Sequence, residues 1–208
     1  MKKIVSIILF LSLILVLCAC GKQAEKDGVA GGWTLSADGA VPEQAQSAFD
    51  KAMEGLVGVN YTPVALLGTQ LVSGTNYSLL CEATVVYPDA KPSYAVVTVY
   101  ENLQGVAEIR NIAGLDLGQI AETGAVEAAE ISGGTALGGW TVDRESSFAT
   151  EDTVLHLASQ LVSGTNHCLL CRGEGWSLRY VYESLDGSTE VKRTVPLDPA
   201  ALSQPAAD

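Results

Sequence analysis

The spacing of apolar residues changes period several times along the chain. Over residues 42–57 (PEQAQSAFDKAMEGLV), Ala45, Ala48, Phe49, Ala52, Met53 and Leu56 recur at intervals of three and four, one face of an amphipathic helix. Pro42 suits the first turn, where its missing N–H costs nothing, and Gly58 suits a left-handed stop. The period then drops to two. Over 76–87 (NYSLLCEATVVY), Tyr77, Leu79, Cys81, Ala83 and Val85 share one strand face, and Ser78, Leu80, Glu82 and Thr84 the other. Residues 62–70 predict a preceding strand, joined through a tight QLVSG connection in which Gly74 supplies the unusual dihedrals. Residues 94–100 (YAVVTVY) and 106–112 (VAEIRNI) predict a second hairpin across Asn102-Leu103-Gln104-Gly105. The unit reads as a short strand, a helix, and four antiparallel strands wrapping it.

The pattern then repeats. QLVSGTNY at 70–77 returns as QLVSGTNH at 160–167, an offset of 90, whereas Gly31-Gly32-Trp33 returns as Gly138-Gly139-Trp140 at an offset of 107. The second copy is therefore seventeen residues shorter between these landmarks, about the length of the helix at 42–57. ENLQGVAEI (101–109) matches ESLDGSTEV (183–191) at an offset of 82, so a loop is trimmed as well. The second unit is expected to be the same sheet without its helix. Its apolar face, with Val154, Leu169 and Cys171 as candidates, needs a cover: the first unit, the linker 114–137, or another chain. That linker is rich in Gly, Ala and Glu, and its Leu115, Leu117, Ile120 and Val126 offer a weak substitute helix. The tail after Pro196 (PLDPAALSQPAAD) has the composition of disorder.

The first residues stand apart from any fold. Lys2 and Lys3 precede an unbroken apolar run at 4–17 that is shorter than the roughly 20 residues a membrane span needs. It ends in Leu17-Cys18-Ala19-Cys20-Gly21, which resembles a bacterial lipobox. That resemblance implies lipidation of Cys20, with 1–19 removed as a signal peptide and 20–30 left as a tether. Cys18 fits less well, because bulky Leu17 would stand where a small residue is needed; a plain cleaved secretory signal is the alternative. The expected location is extracytoplasmic, anchored to the bacterial cell membrane, with the bilayer as partner through acylated Cys20. The formal charge of −12 becomes −14 once Lys2 and Lys3 leave. An acidic surface without a Lys/Arg cluster argues against nucleic-acid binding.

Candidate chemistry is sparse. Cys168-Leu-Leu-Cys171 has redox spacing, but on a strand residues three apart point to opposite faces and lie about 10 Å apart by rise, beyond disulfide reach. Cys171 repeats Cys81, so buried small hydrophobes are the better reading, with a Cys81–Cys171 bridge between packed sheets as an alternative. His156 and His167 are the two histidines, without zinc-like ligand spacing; His167 stands where Tyr77 stands in the first copy. Neither a nucleophile elbow nor a phosphate-binding glycine loop occurs. No enzyme, metal or cofactor is indicated.

The order of elements over residues 31–113 resembles the cystatins. Gln70, Val72 and Gly74 match that family's Q-x-V-x-G loop, Asn76 and Tyr77 its common continuation, and Gly31-Gly32 its N-terminal glycine. The resemblance implies an α+β fold, a cystatin-like helix packed on an antiparallel sheet; the repeat adds at 138–197 a second, helix-deficient antiparallel sheet unit, and the composition a disordered tail at 198–208. It also implies reversible inhibition of papain-like cysteine proteases by a wedge. The wedge would comprise Gly31 and Gly32, the loop Gln70, Leu71, Val72, Ser73 and Gly74, and Leu103 in the third segment. The second-repeat loop would be Gln160, Leu161, Val162, Ser163 and Gly164. The family's second loop often carries a Pro-Trp pair, which is absent here; Leu103 occupies the place. The alternative is a non-inhibitory scaffold or protein-binding lipoprotein in which the doubled phrase is retained as a good hairpin.

Overall fold

The computed structural model describes residues 31–129, 131 and 139–204. The expected signal segment 1–19, the expected lipidation site Cys20 with the expected tether 20–30, and Gly138 lie outside the described residues. Two antiparallel sheets dominate the chain. The first orders β1 (Trp33–Leu35), β2 (Val59–Val72), β3 (Gly74–Val85), β4 (Ser93–Asn102), β5 (Ala107–Leu115) and β6 (Ala128–Ala129) in sequence. The second runs β11 (Thr189–Pro196), β10 (Trp176–Glu183), β9 (Gly164–Arg172), β8 (Thr153–Val162), β7 (Thr141–Val142). Three short helices complete the described chain: α1 (Glu43–Met53), α2 (Leu117–Thr123) and α3 (Pro199–Leu202).

This architecture corrects the expected α+β, cystatin-like class. The described residues are mostly antiparallel strand with only small helices, and one of the two sheets curls into a half-barrel. The reason lies in β3, which is apolar on both faces. Its outer face, Tyr77, Leu79 and Cys81, meets Ala45, Ala48 and Phe49 of α1. Its inner face carries Leu80, which joins Leu67, Val96 and Leu115 in a core shared with Leu157, Leu170, Trp176 and Leu178 of the second sheet. The larger core is therefore sheet against sheet, and the eleven-residue α1 covers part of the opposite surface. The periodic pattern over 42–57 overstates the helix: it stops at Met53, where Gly55 turns the chain at φ 82°.

The two sheets are copies to the level of their irregularities. β2 and β3 slip register at Pro63/Ala65 and Leu66/Gly68; β8 and β9 slip at Thr153/Leu155 and His156/Ala158, the same places at the offset of 90. The bulge at Thr98/Val99 returns at Tyr180/Val181, at the offset of 82. Contacts between the sheets are reciprocal as well. The Tyr94 hydroxyl donates to Leu157 O at 3.0 Å, while Trp176, the residue equivalent to Tyr94, donates its indole N–H to Leu67 O, equivalent to Leu157, at 2.5 Å. Such an exchange is what a two-fold operation produces, so the halves pack as an isologous dimer would, inside one chain.

The ends of the repeats cross over. Asp116 caps α2 by accepting from Gln119 N, and Asp198 caps α3 by accepting from Ala200 N. Each helix then docks on the other half. Arg193 of β11 donates to Glu122 O at 3.4 Å, and its counterpart Asn111 of β5 donates to Leu202 O at 2.8 Å and Gln204 O at 2.9 Å. Residues 198–204, expected as part of a disordered tail, are thus held by Leu202 in the shared core and by the Asp198 cap.

The second sheet has no counterpart of α1. Its outer face, Leu169, Cys171 and Val181, is covered by Phe148 from the connection between β7 and β8. Val154, expected on that face, packs into the inner core instead, because the register slip at Thr153/Leu155 turns it over.

Candidate functional site

The expected wedge segments fall side by side at one edge of the first sheet. β2 and β3 reverse at Ser73, and Gly74 sits opposite Asn102, so the tip at 71–73 adjoins the loop at 102–105. Gly31 joins them: its N–H donates to Leu71 O at 3.3 Å, and Gln70 Nε2 donates to its carbonyl at 2.8 Å. Gly32 follows directly, leading into β1.

Several letters of the doubled phrase have structural duties. Gln70 Oε1 accepts from Asn76 Nδ2 across the hairpin at 2.7 Å, and Gln160 and Asn166 repeat the bond at the same length. Ser73 O accepts from the Tyr100 hydroxyl at 2.7 Å, and Ser163 O from Tyr182 at 2.6 Å. Gly74 has φ 139°, and a Cβ on it would meet Glu101 O at 2.4 Å; Gly164 has φ 130° and would meet Glu183 O at 2.4 Å. Only glycine fits such backbone with such a neighbour.

The side chains of Leu71, Val72, Leu161 and Val162 have no such duty. Leu71 is 72% exposed and Leu161 86%; beside them Leu103 is 79% exposed and Leu185 88%. Fully burying one leucine stabilises by about 1.5–3 kcal/mol, and at four positions the fold leaves most of that unclaimed. Leu185 was not singled out from the sequence, although the offset of 82 places it at the position of Leu103.

The loops that present these leucines are braced. Asn102 Oδ1 accepts from Gln104 N and Val106 N at 2.9 and 3.0 Å. Lys51 of α1 reaches Glu101 at 3.1 Å and Gly105 O at 3.0 Å. In the second copy, hydrogen bonds from the Ser184 hydroxyl, with Ser188 beside it, hold the Asp186 carboxyl down at about 2.

The histidines and cysteines are interior parts of the copies. His167 Nε2 lies 3.1 Å from Glu183, as Tyr77 lies 3.4 Å from the equivalent Glu101. His167 Nδ1 lies 2.9 Å from His156 Nε2, and His156 Nδ1 meets Asp143 O. Phe148 stacks on the His167 ring at 3.8 Å, and burial pushes the His167 pKa down. Cys168 and Cys171 belong to opposite faces of β9, with Cys168 in the shared core and Cys171 under Phe148. Cys81 lies under α1 on the outer face of the other sheet, so the alternative Cys81–Cys171 bridge does not form, and all three thiols are free. Burial pushes the Cys168 thiol up to about 12 and raises Cys81 and Cys171 too. Thiols so held are poor nucleophiles. Among the described residues no group of three or more His, Cys, Asp or Glu is placed to hold a metal ion. None of the known protein families, curated proteins or solved structures compared with the chain matches it.

Proposed function

We propose that the chain is an extracytoplasmic binding protein, held to the membrane through a lipid on Cys20, that recognises a protein partner with the apolar hairpin tips of its two repeats. The observation that carries the reading is that Leu71 and Leu103, and likewise Leu161 and Leu185, are exposed on neighbouring hairpin loops. In each copy the loops are held by internal hydrogen bonds. Loops already rigid lose little entropy on docking, so their apolar surface converts efficiently into affinity. Single exposed leucines need no explanation, but the same pair presented twice does. A photoreactive phenylalanine at position 71, 103, 161 or 185, irradiated in cells, should yield discrete crosslinked protein species. The same residue at Glu54 should not. Equal, diffuse labelling at all five positions would contradict the reading.

A narrower reading is favoured by the proximity of Gly31 to the first tip. An edge built from Gly31, Gly32, Gln70–Gly74 and Leu103 is suited to reversible plugging of a papain-like protease cleft without reaction. Inhibition of papain by the purified protein, abolished by Leu71→Asp and Gly74→Trp, supports it. Uninhibited papain at micromolar protein leaves the general partner-binding reading in place and removes this one.

A further inference from the structure

Among the inner-face positions at which the two sheets differ is a polar patch of the first. Asn76 Oδ1, Ser78 Oγ and Thr98 Oγ1 are the buried side-chain oxygens without a hydrogen-bond partner among the described residues. They are contiguous. Ser78 and Thr98 are direct cross-strand partners, Asn76 pairs with Tyr100 in the next row on that face, and Leu80 with Val96 in the row before. Ser78 is fully buried and Thr98 is 2% exposed.

In the second sheet the same positions hold Asn166, Cys168 and Tyr180, with Tyr180 opposite Cys168. There the Tyr180 ring fills the space, and its hydroxyl donates to Leu117 O of α2 at 2.9 Å. Thr98 is too short to do the same toward α3. The result is a larger cleft over the first sheet, about 460 Å³ against about 250 Å³ at the equivalent place. Its floor is Asn76, Thr98 and Tyr100, and Gln70, Arg110 and Ser203 line its sides. That volume is within the usual range for small-molecule sites.

An unpaired buried hydroxyl costs about 1–3 kcal/mol, and an apolar side chain of the same shape avoids the cost. Three together, with Asn76 and Thr98 lining a cleft and Ser78 beside Thr98 behind it, are better explained by a ligand than by packing. The cation at the rim narrows its chemistry. The bulge at Thr98/Val99 leaves Arg110 as the extra residue of β5, with its guanidinium 4.6 Å from the Tyr100 ring centre. It pairs with Glu108 at 3.0 Å, but both side chains are half exposed, and such a pair is exchanged at little cost. A carboxylate can take two parallel hydrogen bonds from it. Asn76 Oδ1 accepts only, while the Thr98 hydroxyl donates and accepts, so the rest of the ligand needs hydroxyls to meet them.

We propose that the cleft beside β3, β4, β5 and the end of α3 binds a small polyhydroxylated carboxylate of hexuronate size, its hydroxyls on Asn76 and Thr98 and its carboxylate on Arg110. This site is separate from the hairpin-tip leucines and stands without them. Titration of the full-length protein in detergent micelles with D-glucuronate, read by calorimetry, tests it. Saturable binding with a Kd of about 1 mM or tighter is expected, with D-glucose and acetate each at least ~10-fold weaker. Thr98→Val and Arg110→Gln should each weaken glucuronate by ~10-fold or more, from loss of a buried and a charge-assisted hydrogen bond. Lys192→Gln, at the equivalent position of the second sheet, should leave affinity unchanged. Thr98→Val also removes an unpaired oxygen, so its melting temperature should hold or rise, which separates lost binding from lost folding. No saturable heat at ~20 mM glucuronate, a range where even weak millimolar sites fill, would overturn the proposal. Binding unaffected by Thr98→Val or by Arg110→Gln would do so equally.

Discussion

Gly74 and Gly164 show how tightly single residues are specified in the doubled phrase. Each sits at a positive φ with a carbonyl oxygen 2.4 Å from where a Cβ would lie. Gly74→Ala therefore meets both backbone strain and a backbone collision, and about 2–3 kcal/mol of stability should be lost; urea unfolding measures it, and Gly164→Ala should cost a similar amount. The requirement for glycine was legible in the sequence, because turn chemistry predicts it. The Gln70–Asn76 and Tyr100–Ser73 bonds were not, since each joins residues whose proximity depends on register. His167 is a second residue whose setting matters. Burial lowers its pKa below the ordinary histidine value, while Glu183 acts in the opposite direction and His156 and Asp143 also face it. A histidine kept neutral in the folded state binds its proton more readily when unfolded. Its contribution to stability is complete above the unfolded value near 6.5 and is lost as pH falls through the folded value. The melting temperature should drop between pH 7 and pH 5 more in the native protein than in His167→Tyr, which restores the first copy's residue. Equal drops would show that burial of this ring is not felt.

At the scale of elements, two different covers protect equivalent sheet faces. α1 shields the first with Ala45, Ala48 and Phe49; a single aromatic, Phe148, shields the second. The helix was readable from its 3.6-residue period, although Leu56, an apparent extension of its stripe, is exposed beyond the Gly55 turn. Phe148 was not readable, because one apolar residue in a polar connection has no period. Phe49→Ala should cost about 3–5 kcal/mol, as a fully packed aromatic does. Phe148→Ala, from a partly exposed position, should cost about 1–2 kcal/mol. Denaturant titration of the two variants gives both values, and equal losses would contradict the unequal burial. The edge strand β11, and the stretch of β5 that the two-residue β6 leaves unpaired, carry their charges outward: Lys192 beside Glu190 and Arg110 beside Glu108. Charged edges of this kind discourage further strand addition, consistent with recognition at the tips rather than along the edges.

For the whole molecule, the internal two-fold explains both what the sequence disclosed and what it concealed. The offsets of 107, 90 and 82 disclosed two sheets and a missing helix. They also extend to Leu115-Asp116 and Leu197-Asp198, where the small, Ala- and Pro-rich residues after Asp198 hid a capped helix behind a composition typical of disorder. The mode of packing was concealed because strand alternation says which face is apolar and not what that face meets. With both faces of β3 apolar, a helix explained one, and the other belonged to the second repeat. The same symmetry gives the tip leucines their weight: the pseudo-dyad accounts for inner residues that meet across it, and it accounts for nothing at Leu71, Leu103, Leu161 and Leu185. The most direct measurement is thermal unfolding of the protein with all four changed to serine. If these side chains serve recognition and not the fold, its melting temperature should stay within about 2 °C of the native value, as surface substitutions do. A fall of about 8 °C or more would show that the tips are held in the fold, and the binding account would lose its basis.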